Sequence, residues 1–436
     1  MKKINIGLIG FGTIGAGVVK LLKKNLTQIT AKTGTKLIIK KIADLDIKTD
    51  RGVKVDKGVL TTDVDDILND PEISIVIELI GGYKPAKQFI LKAIKAGKHV
   101  VTANKALLAV HGDAIFSAAL KHDVHVGYEA AVCGGIPIIR TIKEGLCAEK
   151  ISSIYGIFNG TCNYILTKMT EEGKDFAGVL NEAQKLGYAE ADPTFDVEGI
   201  DAAHKLAILV ALSFGTRVKF KDLYTEGISS IAPIDIEFAE SLGYKIKLIA
   251  MAKSNGKSID ARVHPTMLRA DHPLATVNNV FNAVYVNADA TGPTMYYGKG
   301  AGELPTASAV MSDVIEVARN IDKGIVNRVP VLSFKESKIK DIPIKPIGET
   351  ESKYYMRITV KDQPKVLSKI SGILGDYKIS IESVIQKGKP SEKNVPIVLQ
   401  THRALDSGVK AALKTINKLS FVTGKTVVIR IEDELN

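Results

Sequence analysis

The N-terminal fold is set by the stretch Ile4-Asn5-Ile6-Gly7-Leu8-Ile9-Gly10-Phe11-Gly12-Thr13-Ile14-Gly15. A short apolar run ends at Gly10, and the next apolar residues move to helical spacing, at Ile14, Val18, Val19, Leu21 and Leu22. Strand, glycine turn and helix in this order direct unpaired backbone N–H groups at the phosphates of a ligand. The stretch therefore predicts a dinucleotide site on Gly10, Gly12 and Gly15.

The rest of the chain divides into three further patterns. Buried-strand runs at 37–43, 73–80 and 99–102, with a helix at 85–96, predict a doubly wound parallel sheet of Rossmann type over residues 1–135, completed by a helix near 305–325. Longer helices and alternating stretches over 136–304 indicate an α+β catalytic and dimerisation domain. A charged, proline-containing linker over 331–352 precedes a ferredoxin-like βαββαβ unit at 353–436.

Composition limits the class of protein. A chain of 436 residues is too long for one core, and its three cysteines are too few for a disulfide framework or a zinc site. The formal charge of +11 comes without an arginine-rich stripe or aromatic platforms, so we expect no nucleic-acid partner. No run of about 18 uncharged apolar residues predicts a membrane span, and we expect a cytoplasmic protein.

The choice between the two nicotinamide dinucleotides depends on the end of the second strand. Asp44 stands where an acidic residue holds the ribose 2′-hydroxyl, which favours NAD. Lys40, Lys41 and Arg51 lie near enough in sequence to accept a 2′-phosphate, so NADP stays open.

The chemistry is concentrated in the segment 187–205, which carries five carboxylates and one lysine. Asp201, His204 and Lys205 share one face of a helix that is otherwise apolar. On an exposed helix Asp201 and Lys205 would be an ordinary surface pair, but a buried pair needs partners or a function to retain it. We expect Lys205 to transfer a proton to or from a substrate oxygen, with a pKa that burial lowers and Asp201 opposes; His204 is equally well explained as a rim residue.

Three more segments are candidates for binding. Lys105 follows the strand that ends at Thr102, where open parallel sheets bind ligands. The glycines of 298–302 precede a helix and suit close approach to the cofactor. The turn at 129–137 offers one carboxylate, Glu129, and several exposed carbonyl oxygens that can bind a hard cation.

Together these segments resemble homoserine dehydrogenase. The likeness covers residues 1 to about 330, and its most specific part is Gly-Tyr-Ala-Glu-Ala-Asp-Pro at 187–193 followed by Asp-Val-Glu-Gly-Ile-Asp-Ala-Ala-His-Lys at 196–205. The tail from Tyr354 resembles an ACT domain, with Asp362-Gln363-Pro364-Lys365-Val366-Leu367 at its first turn. The resemblance implies reversible reduction of aspartate 4-semialdehyde to homoserine, in the branch leading to threonine, isoleucine and methionine.

The resemblance also implies residue roles. Lys205 would donate the proton, Asp201 and Glu190 would hold the substrate, and Lys105 would lie between nicotinamide and substrate. Residues that would line the dinucleotide are Phe11, Thr13, Ile14, Thr102, Gly187 and Gly302. Glu129, with the carbonyls of Val132, Gly134 and Ile136, would bind sodium. A homodimer or larger homo-oligomer and threonine feedback through the tail are implied as well; Leu45 departs from the family's arginine for a 2′-phosphate.

Two other functions fit parts of the pattern. A phosphorylating semialdehyde dehydrogenase would use a thiolate, from Cys162 or Cys133, but leaves the lysine-bearing helix unexplained. A non-catalytic sensor would bind dinucleotide and amino acid without turnover. Several polar groups on buried elements count against the sensor.

Overall fold

The computed structural model describes residues 2–386, 393–433 and 435. Its N-terminal domain is a six-stranded parallel sheet in the order β3-β2-β1-β4-β5-β6. The strands are rich in isoleucine and valine because helices cover both faces of such a sheet. The elements are β1 (Lys3–Ile9), α1 (Thr13–Thr33), β2 (Lys36–Ala43), β3 (Leu60–Thr61), α2 (Asp65–Leu68), β4 (Ile73–Glu78), α3 (Ala86–Lys95), β5 (His99–Thr102), α4 (Lys105–Lys121) and β6 (Val126–Gly127). The predicted doubly wound parallel sheet is confirmed.

A helix from much later in the chain packs on this domain. It is Glu303–Lys323, numbered below in its place in the chain, and its first turn meets α1 at Gly17, where a Cβ atom would lie 2.8 Å from Glu303 Cγ. Lys20 Nζ and Glu303 Oε1 form an ion pair of 2.7 Å beside this contact. The glycine loop at 298–302 is thereby brought beside the N-terminal glycine turn.

The middle of the chain forms a second, mixed sheet packed by helices. Its elements are α5 (Ile138–Arg140), β7 (Ile151–Ile157), α6 (Gly160–Glu172), α7 (Phe176–Lys185), α8 (Thr194–Val197), α9 (Ile200–Phe214), β8 (Tyr224–Thr225), α10 (Pro233–Ser241), β9 (Tyr244–Ser254), β10 (Ile259–Arg269), β11 (Phe281–Ala288), β12 (Gly292–Lys299) and α11 (Glu303–Lys323). Helix α9 packs against β9 and β10 and is buried along most of its length.

The C-terminal domain has the predicted βαββαβ order, with one additional two-residue strand before its second helix. Its elements are β13 (Glu351–Lys361), α12 (Val366–Asp376), β14 (Ile381–Gln386), β15 (Asn394–Thr401), β16 (Ala404–Leu405), α13 (Asp406–Ile416) and β17 (Val427–Glu432). The last strand begins at Val427.

The middle and C-terminal sheets are one continuous sheet, which the sequence does not predict. Its main path runs β12-β11-β7-β9-β10-β17-β13-β15-β14. The joint is the parallel pair of β10 and β17, in which Thr266 lies opposite Arg430 and Leu268 opposite Glu432. The C-terminal domain is therefore hydrogen-bonded to the sheet that supports α9.

The predicted linker is bound along the middle domain. Its only helical pieces within the described residues are two 3₁₀ turns, at Glu336–Lys338 and Ile347–Glu349. Ile259 N donates to Pro343 O (3.0 Å), and Lys345 N donates to Ile259 O (2.7 Å). No helix among the residues described above is both long and apolar enough to cross a membrane.

Buried ion pairs also tie the C-terminal domain to the middle one. The guanidinium of Arg357 on β13 grips Asp235 on α10, with Nε–Oδ1 at 2.6 Å and Nη2–Oδ2 at 2.9 Å. Tyr355 OH donates to the same carboxylate at 3.0 Å, and Asp235 has no exposed side-chain area. A carboxylate buried this completely depends on its partners, because without them its desolvation is uncompensated.

We expect Arg357→Met to lower the free energy of unfolding by about 3–5 kcal/mol, because it leaves Asp235 as an uncompensated buried charge. Urea denaturation followed by circular dichroism measures the change. The control is Lys361→Met on the same strand, an exposed lysine whose replacement changes stability by less than about 0.5 kcal/mol. Equal effects of the two substitutions would contradict this account.

Candidate active site

The site is built around the start of α9. Gly199 caps the helix in the left-handed region (φ 77°), and the apolar faces of the helix pack into the core. Asp201 and Lys205 are one turn apart on this helix, and both side chains are more than nine-tenths buried. The surface-pair interpretation is therefore wrong for these two residues.

Two lysines share the Asp201 carboxylate. Lys205 Nζ lies 2.7 Å from Asp201 Oδ2, and Lys105 Nζ lies 2.6 Å from Oδ1. Lys205 also donates to Phe158 O at 2.6 Å. Lys105 begins α4 in the N-terminal domain and keeps 36% of its side chain exposed, so the cluster lies where the two domains meet and opens to solvent on the Lys105 side.

The charges of the cluster govern its titration. Burial alone would raise the pKa of Asp201, but the charges of Lys205 and Lys105 outweigh it and hold that pKa well below its usual value. Burial lowers the pKa of Lys205, yet Asp201 outweighs burial and the net shift is upward. Lys205 is thus held as an ammonium, which is the form that donates a proton. The pKa of Lys205 is raised, although burial alone would lower it.

Sequence reasoning assigned no role to two further polar residues of the cluster. Asn159 Nδ2 donates to Asp201 Oδ2 (2.9 Å) and to Asp196 Oδ1 (2.7 Å), while its Oδ1 caps α6 by accepting from Cys162 N (2.8 Å). Burial, followed by the charge of Asp201, raises the pKa of Asp196. Asp196 was counted among the five carboxylates, but nothing in the local pattern distinguished it from its neighbours.

His204 is not a rim residue. Only 1% of it is exposed, and its ring stacks between Phe195 and Phe220, with centroids 5.3 Å and 4.1 Å away. Burial lowers the pKa of His204 to about 4, so it is neutral at physiological pH. Both ring nitrogens are buried without a hydrogen-bond partner in the part of the chain that the structure describes.

The glycine turn has the backbone a dinucleotide needs. Gly10 adopts φ 99°, and a Cβ on Gly15 would lie 2.2 Å from Gly10 O, so the turn and the helix can approach only with glycine at both positions. A Cβ on Gly12 would meet no described atom within 4 Å, which leaves open space in front of the α1 N-terminus. Phe11 is buried beneath the turn, while Thr13 and Ile14 form the first turn of α1.

The end of β2 carries the residues that bear on cofactor choice. Asp44 Oδ2 accepts from Phe11 N (2.5 Å), so its carboxylate touches the glycine turn, and Leu45 is 94% exposed. The three candidate cations each have protein partners. They are Lys40, paired with Asp70 and Glu72, Lys41, donating to Gly58 O, and Arg51, 3.1 Å from Asp46.

The ends of the neighbouring parallel strands β4 and β5 are joined by side-chain hydrogen bonds. Thr102 Oγ1 donates to the buried Glu78 Oε2 (2.7 Å), whose other oxygen accepts from Ile80 N (2.9 Å). Asn104 N donates to Thr102 Oγ1 (3.0 Å), and Asn104 Oδ1 caps α4. Lys105 is the next residue, so this hydrogen-bond network fixes the position of its backbone.

Three remaining predicted residues, Gly302, Gly187 and Glu190, lie outside the hydrogen-bonded cluster around Asp201. Gly302 (φ 122°) caps α11 beside α1, and Gly187 (φ 74°) lies in an exposed turn. Glu190 is also exposed, and Gln184 Nε2 donates to its backbone oxygen rather than to its carboxylate. The structure therefore does not bring the Glu190 carboxylate into hydrogen bonding with the Asp201 cluster.

The turn at 129–137 is buried rather than exposed as the sequence suggested. Glu129 Oε1 and Oε2 accept from Ile139 N (2.8 Å) and Arg140 N (2.9 Å), and Glu129 N donates to the buried Asp313 Oδ2 (2.8 Å). Burial raises the pKa of Glu129 and raises that of Asp313 to about 7. Among the described residues no three His, Cys, Asp or Glu side chains group as metal ligands, so a cation here would depend on backbone oxygens.

Comparison with known proteins decides the family. Family profiles described as "Homoserine dehydrogenase" and "Homoserine dehydrogenase, NAD binding domain" match residues 137–315 and 10–129, and an "ACT domain" profile matches 354–421. Homoserine dehydrogenase of Pseudomonas aeruginosa is 47% identical over 435 residues, covering 99% of each chain. The chain belongs to the homoserine dehydrogenase family.

Other relatives agree. Homoserine dehydrogenase of Neisseria gonorrhoeae is 46% identical, covering 99% of each chain. The crystal structure of the Thiobacillus denitrificans homoserine dehydrogenase superimposes with a TM-score of 0.94 at 46% identity, again over 99% of both chains. The predicted family, fold class and enzyme class are confirmed: this homoserine dehydrogenase is an NAD(P)-dependent oxidoreductase that interconverts homoserine and aspartate 4-semialdehyde, with an ACT domain at its C-terminal end.

The two buried thiols of this homoserine dehydrogenase are poor nucleophiles. Cys133 and Cys162 are buried, and burial raises the pKa of both. Cys162 Sγ donates to Asp196 O at 3.1 Å. Because the thiolate is the reactive form, neither residue suits the covalent mechanism of the phosphorylating alternative.

We expect iodoacetamide at pH 7.5 to label Cys147, the exposed cysteine, without loss of homoserine oxidation, because the two buried thiols stay protonated. Mass spectrometry of peptides and a spectrophotometric assay on the same sample test this. Cys147→Ser is the control and should show full activity with no label. Inactivation that follows labelling of Cys162 or Cys133 would contradict the lysine-based mechanism.

Proposed function

We propose that Lys205 is the proton donor when this homoserine dehydrogenase reduces the aldehyde, and that it receives the proton back when homoserine is oxidised. The observation that supports this role is the buried Lys205 ammonium held 2.7 Å from Asp201 beside the domain junction. The nicotinamide supplies or accepts the hydride. A general acid–base group in such a position contributes about 10²–10⁴ in rate.

The side chains around Lys205 position it and bind the substrate. Asp201 fixes the Lys205 ammonium and keeps it protonated until the alkoxide forms. We assign the substrate ammonium to the acidic side of the cluster, with Asp196 and, after a movement of its exposed turn, Glu190. We assign Lys105 to the carbonyl or carboxylate oxygen of the substrate, since its partly exposed Nζ can exchange Asp201 for a ligand.

The dinucleotide fits the chain's own residues. Open space before Gly12 and the free N–H groups of the α1 N-terminus suit a pyrophosphate. We place the cofactor on Gly10, Gly12 and Gly15, with the remaining contacts from Phe11, Thr13, Ile14, Thr102, Lys105, Gly187 and Gly302. Asp44 would accept the ribose hydroxyl, and with Leu45 exposed and the nearby cations engaged we propose a preference for NAD.

Further properties follow the same family pattern. A sodium ion at Glu129, with the carbonyls of Val132, Gly134 and Ile136, would compensate two adjacent buried carboxylates, Glu129 and Asp313. A homodimer is supported by β12, an edge strand that exposes Tyr297. We further propose threonine as effector of the ACT domain, and a cytoplasmic location in keeping with three free cysteines.

We propose the domain bounds 1–135, 136–304 and 353–436, with 331–352 as the linker. The packing of α11 on α1 supports its assignment to the first of these.

We expect Lys205→Ala to lower kcat by two to four orders of magnitude (~10²–10⁴) while leaving NADH affinity unchanged, because the lysine acts on the substrate oxygen. Initial rates with homoserine and a fluorescence titration with NADH measure the two effects. Lys121→Ala, at the exposed end of α4, is the control and should behave as wild type. Similar rates for wild type and Lys205→Ala would remove the donor assignment.

We expect wild-type kcat/KM to be higher with NAD than with NADP, and Leu45→Arg to raise kcat/KM for NADP about 10-fold or more. The gain is that of a charge-assisted hydrogen bond to the 2′-phosphate, roughly 1.5–3 kcal/mol. Leu45→Gln, which adds no charge, is the matched control. A wild-type enzyme that prefers NADP would reject the role given to Asp44.

A further inference from the structure

A short segment, residues 224–228, lies between the ACT domain and the start of α9. It contains β8, which pairs in parallel with β10 through Arg262 opposite Tyr224 and Val263 opposite Thr225. Glu226 N continues this pairing by donating to Val263 O at 2.8 Å. The 224–228 segment is therefore held on the same strand, β10, to which the ACT strand β17 pairs.

On one side the 224–228 segment supports the first residues before α9. Ile228 N donates to Val197 O at 2.9 Å. A Cβ on Gly227 would lie 2.4 Å from the same carbonyl, and a Cβ on Gly199 would lie 3.2 Å from Thr225 Cγ2. Gly199 makes no side-chain cap, so packing against 224–228 and Val263 fixes where the helix begins. Asp201 is two residues further along.

On the other side the segment forms an ion pair with Arg430 of the ACT domain. Arg430 Nη1 donates to Glu226 Oε2 at 2.8 Å. Its Nη2 donates at 2.5 Å to Oδ2 of Asp406, which is the first residue of α13. Its guanidinium carbon lies 5.0 Å from the centre of the Tyr224 ring, and only 4% of Arg430 is exposed. One buried arginine thus joins an ACT helix to the segment under the catalytic helix.

We infer that Arg430 is a positioning residue for the reaction: through Glu226 and the 224–228 segment it holds the start of α9 so that Asp201 faces Lys205. This inference rests on the proposed roles of Asp201 and Lys205. Without the Arg430–Glu226 contact the segment keeps its backbone pairing with β10 but loses a buried side-chain restraint beside Gly199. Displacements of about 1 Å in a catalytic group lower rates by up to ~10²-fold.

The pH profile gives a readout that a purely structural role would not move. The charged and titratable groups around Lys205 are Asp201 on α9, Asp196 on α8, Cys162 on α6, Cys133 in the buried turn and, through Asp201, Lys105 on α4. Asp201 raises the pKa of Lys205, and aldehyde reduction requires the protonated lysine. If Asp201 moves away, that pKa falls, and the alkaline decline of the reduction rate shifts to lower pH.

The test compares Arg430→Met and Glu226→Gln with Arg357→Met in the full-length enzyme. Arg357→Met is the matched control, because it breaks another buried ion pair between the ACT and middle domains, one made with Asp235 on α10 and not with Glu226. We expect both test variants to lower kcat about 5- to 50-fold, to keep the KM for the dinucleotide within about twofold, and to shift the alkaline limb downward. The control should retain the wild-type kcat and pH profile at a temperature where all variants are folded.

Glu226→Gln keeps the test decisive if Arg430→Met does not fold, since its side chain is 32% exposed and the change is isosteric. In a double-mutant cycle, Arg430→Met with Glu226→Gln should be no slower than the slower single variant, because both act through one contact. Wild-type kcat and pH profile in Glu226→Gln, or equal losses in Arg357→Met, would overturn the inference. Full activity of Lys205→Ala would instead overturn the proposed function, so the two failures are distinguishable.

Discussion

The structure depends on one buried carboxylate that two ammonium groups share. Asp201 forms ion pairs with Lys205 of its own helix and with Lys105 of the N-terminal domain. The Nζ–Oδ distances are 2.7 Å and 2.6 Å. A buried carboxylate without such partners would become protonated or move toward solvent, because the free energy of desolvating an unpaired charge is several kcal/mol. The cost of burying these charges explains why the surrounding elements are so closely fixed: the N-cap glycine of α9, Asn159 between two carboxylates, and the Phe158 carbonyl that receives Lys205.

The sequence predicted those parts of the site that local spacing determines. Asp201 and Lys205 are four residues apart on one helix, and Gly10 to Gly15 follow a strand directly, so each pattern is legible within one or two elements. Asn159 was not singled out because its two acceptors lie 37 and 42 positions away, and no local period relates them. Asn282 is a similar case: its Nδ2 donates to Phe158 O at 2.8 Å across 124 positions of sequence.

The fold shows the same limit. The order of strands and helices was predicted within the N-terminal and C-terminal domains, because hydrophobic period and turn residues are local signals. The pairing of β10 with β17 was not, since an apolar alternating strand carries no mark of which neighbour it will join. The sequence pattern therefore indicated a tail separated by a linker, whereas the structure has one sheet running from the catalytic domain into the ACT domain. Buried pairs such as Arg262 Nη2 with Glu432 Oε1, 2.8 Å apart and each 2% exposed in its side chain, fix that joint.

The location of Lys105 gives the cluster a means of responding to substrate. Lys205 is enclosed and donates to both Asp201 and a carbonyl oxygen, whereas Lys105 keeps about a third of its side chain in solvent and has Asp201 as its one ion-pair partner in the described chain. Under the proposed role of Lys105, an incoming oxygen anion would compete with Asp201 for Lys105 at the junction of the two domains. If Lys105 turns to the ligand, Lys205 remains the one ammonium paired with Asp201, and the repulsion between the two ammonium groups decreases. Under the proposed roles, substrate binding thus favours the protonated form of Lys205, and it does so through the residue that links the dinucleotide domain to the catalytic helix.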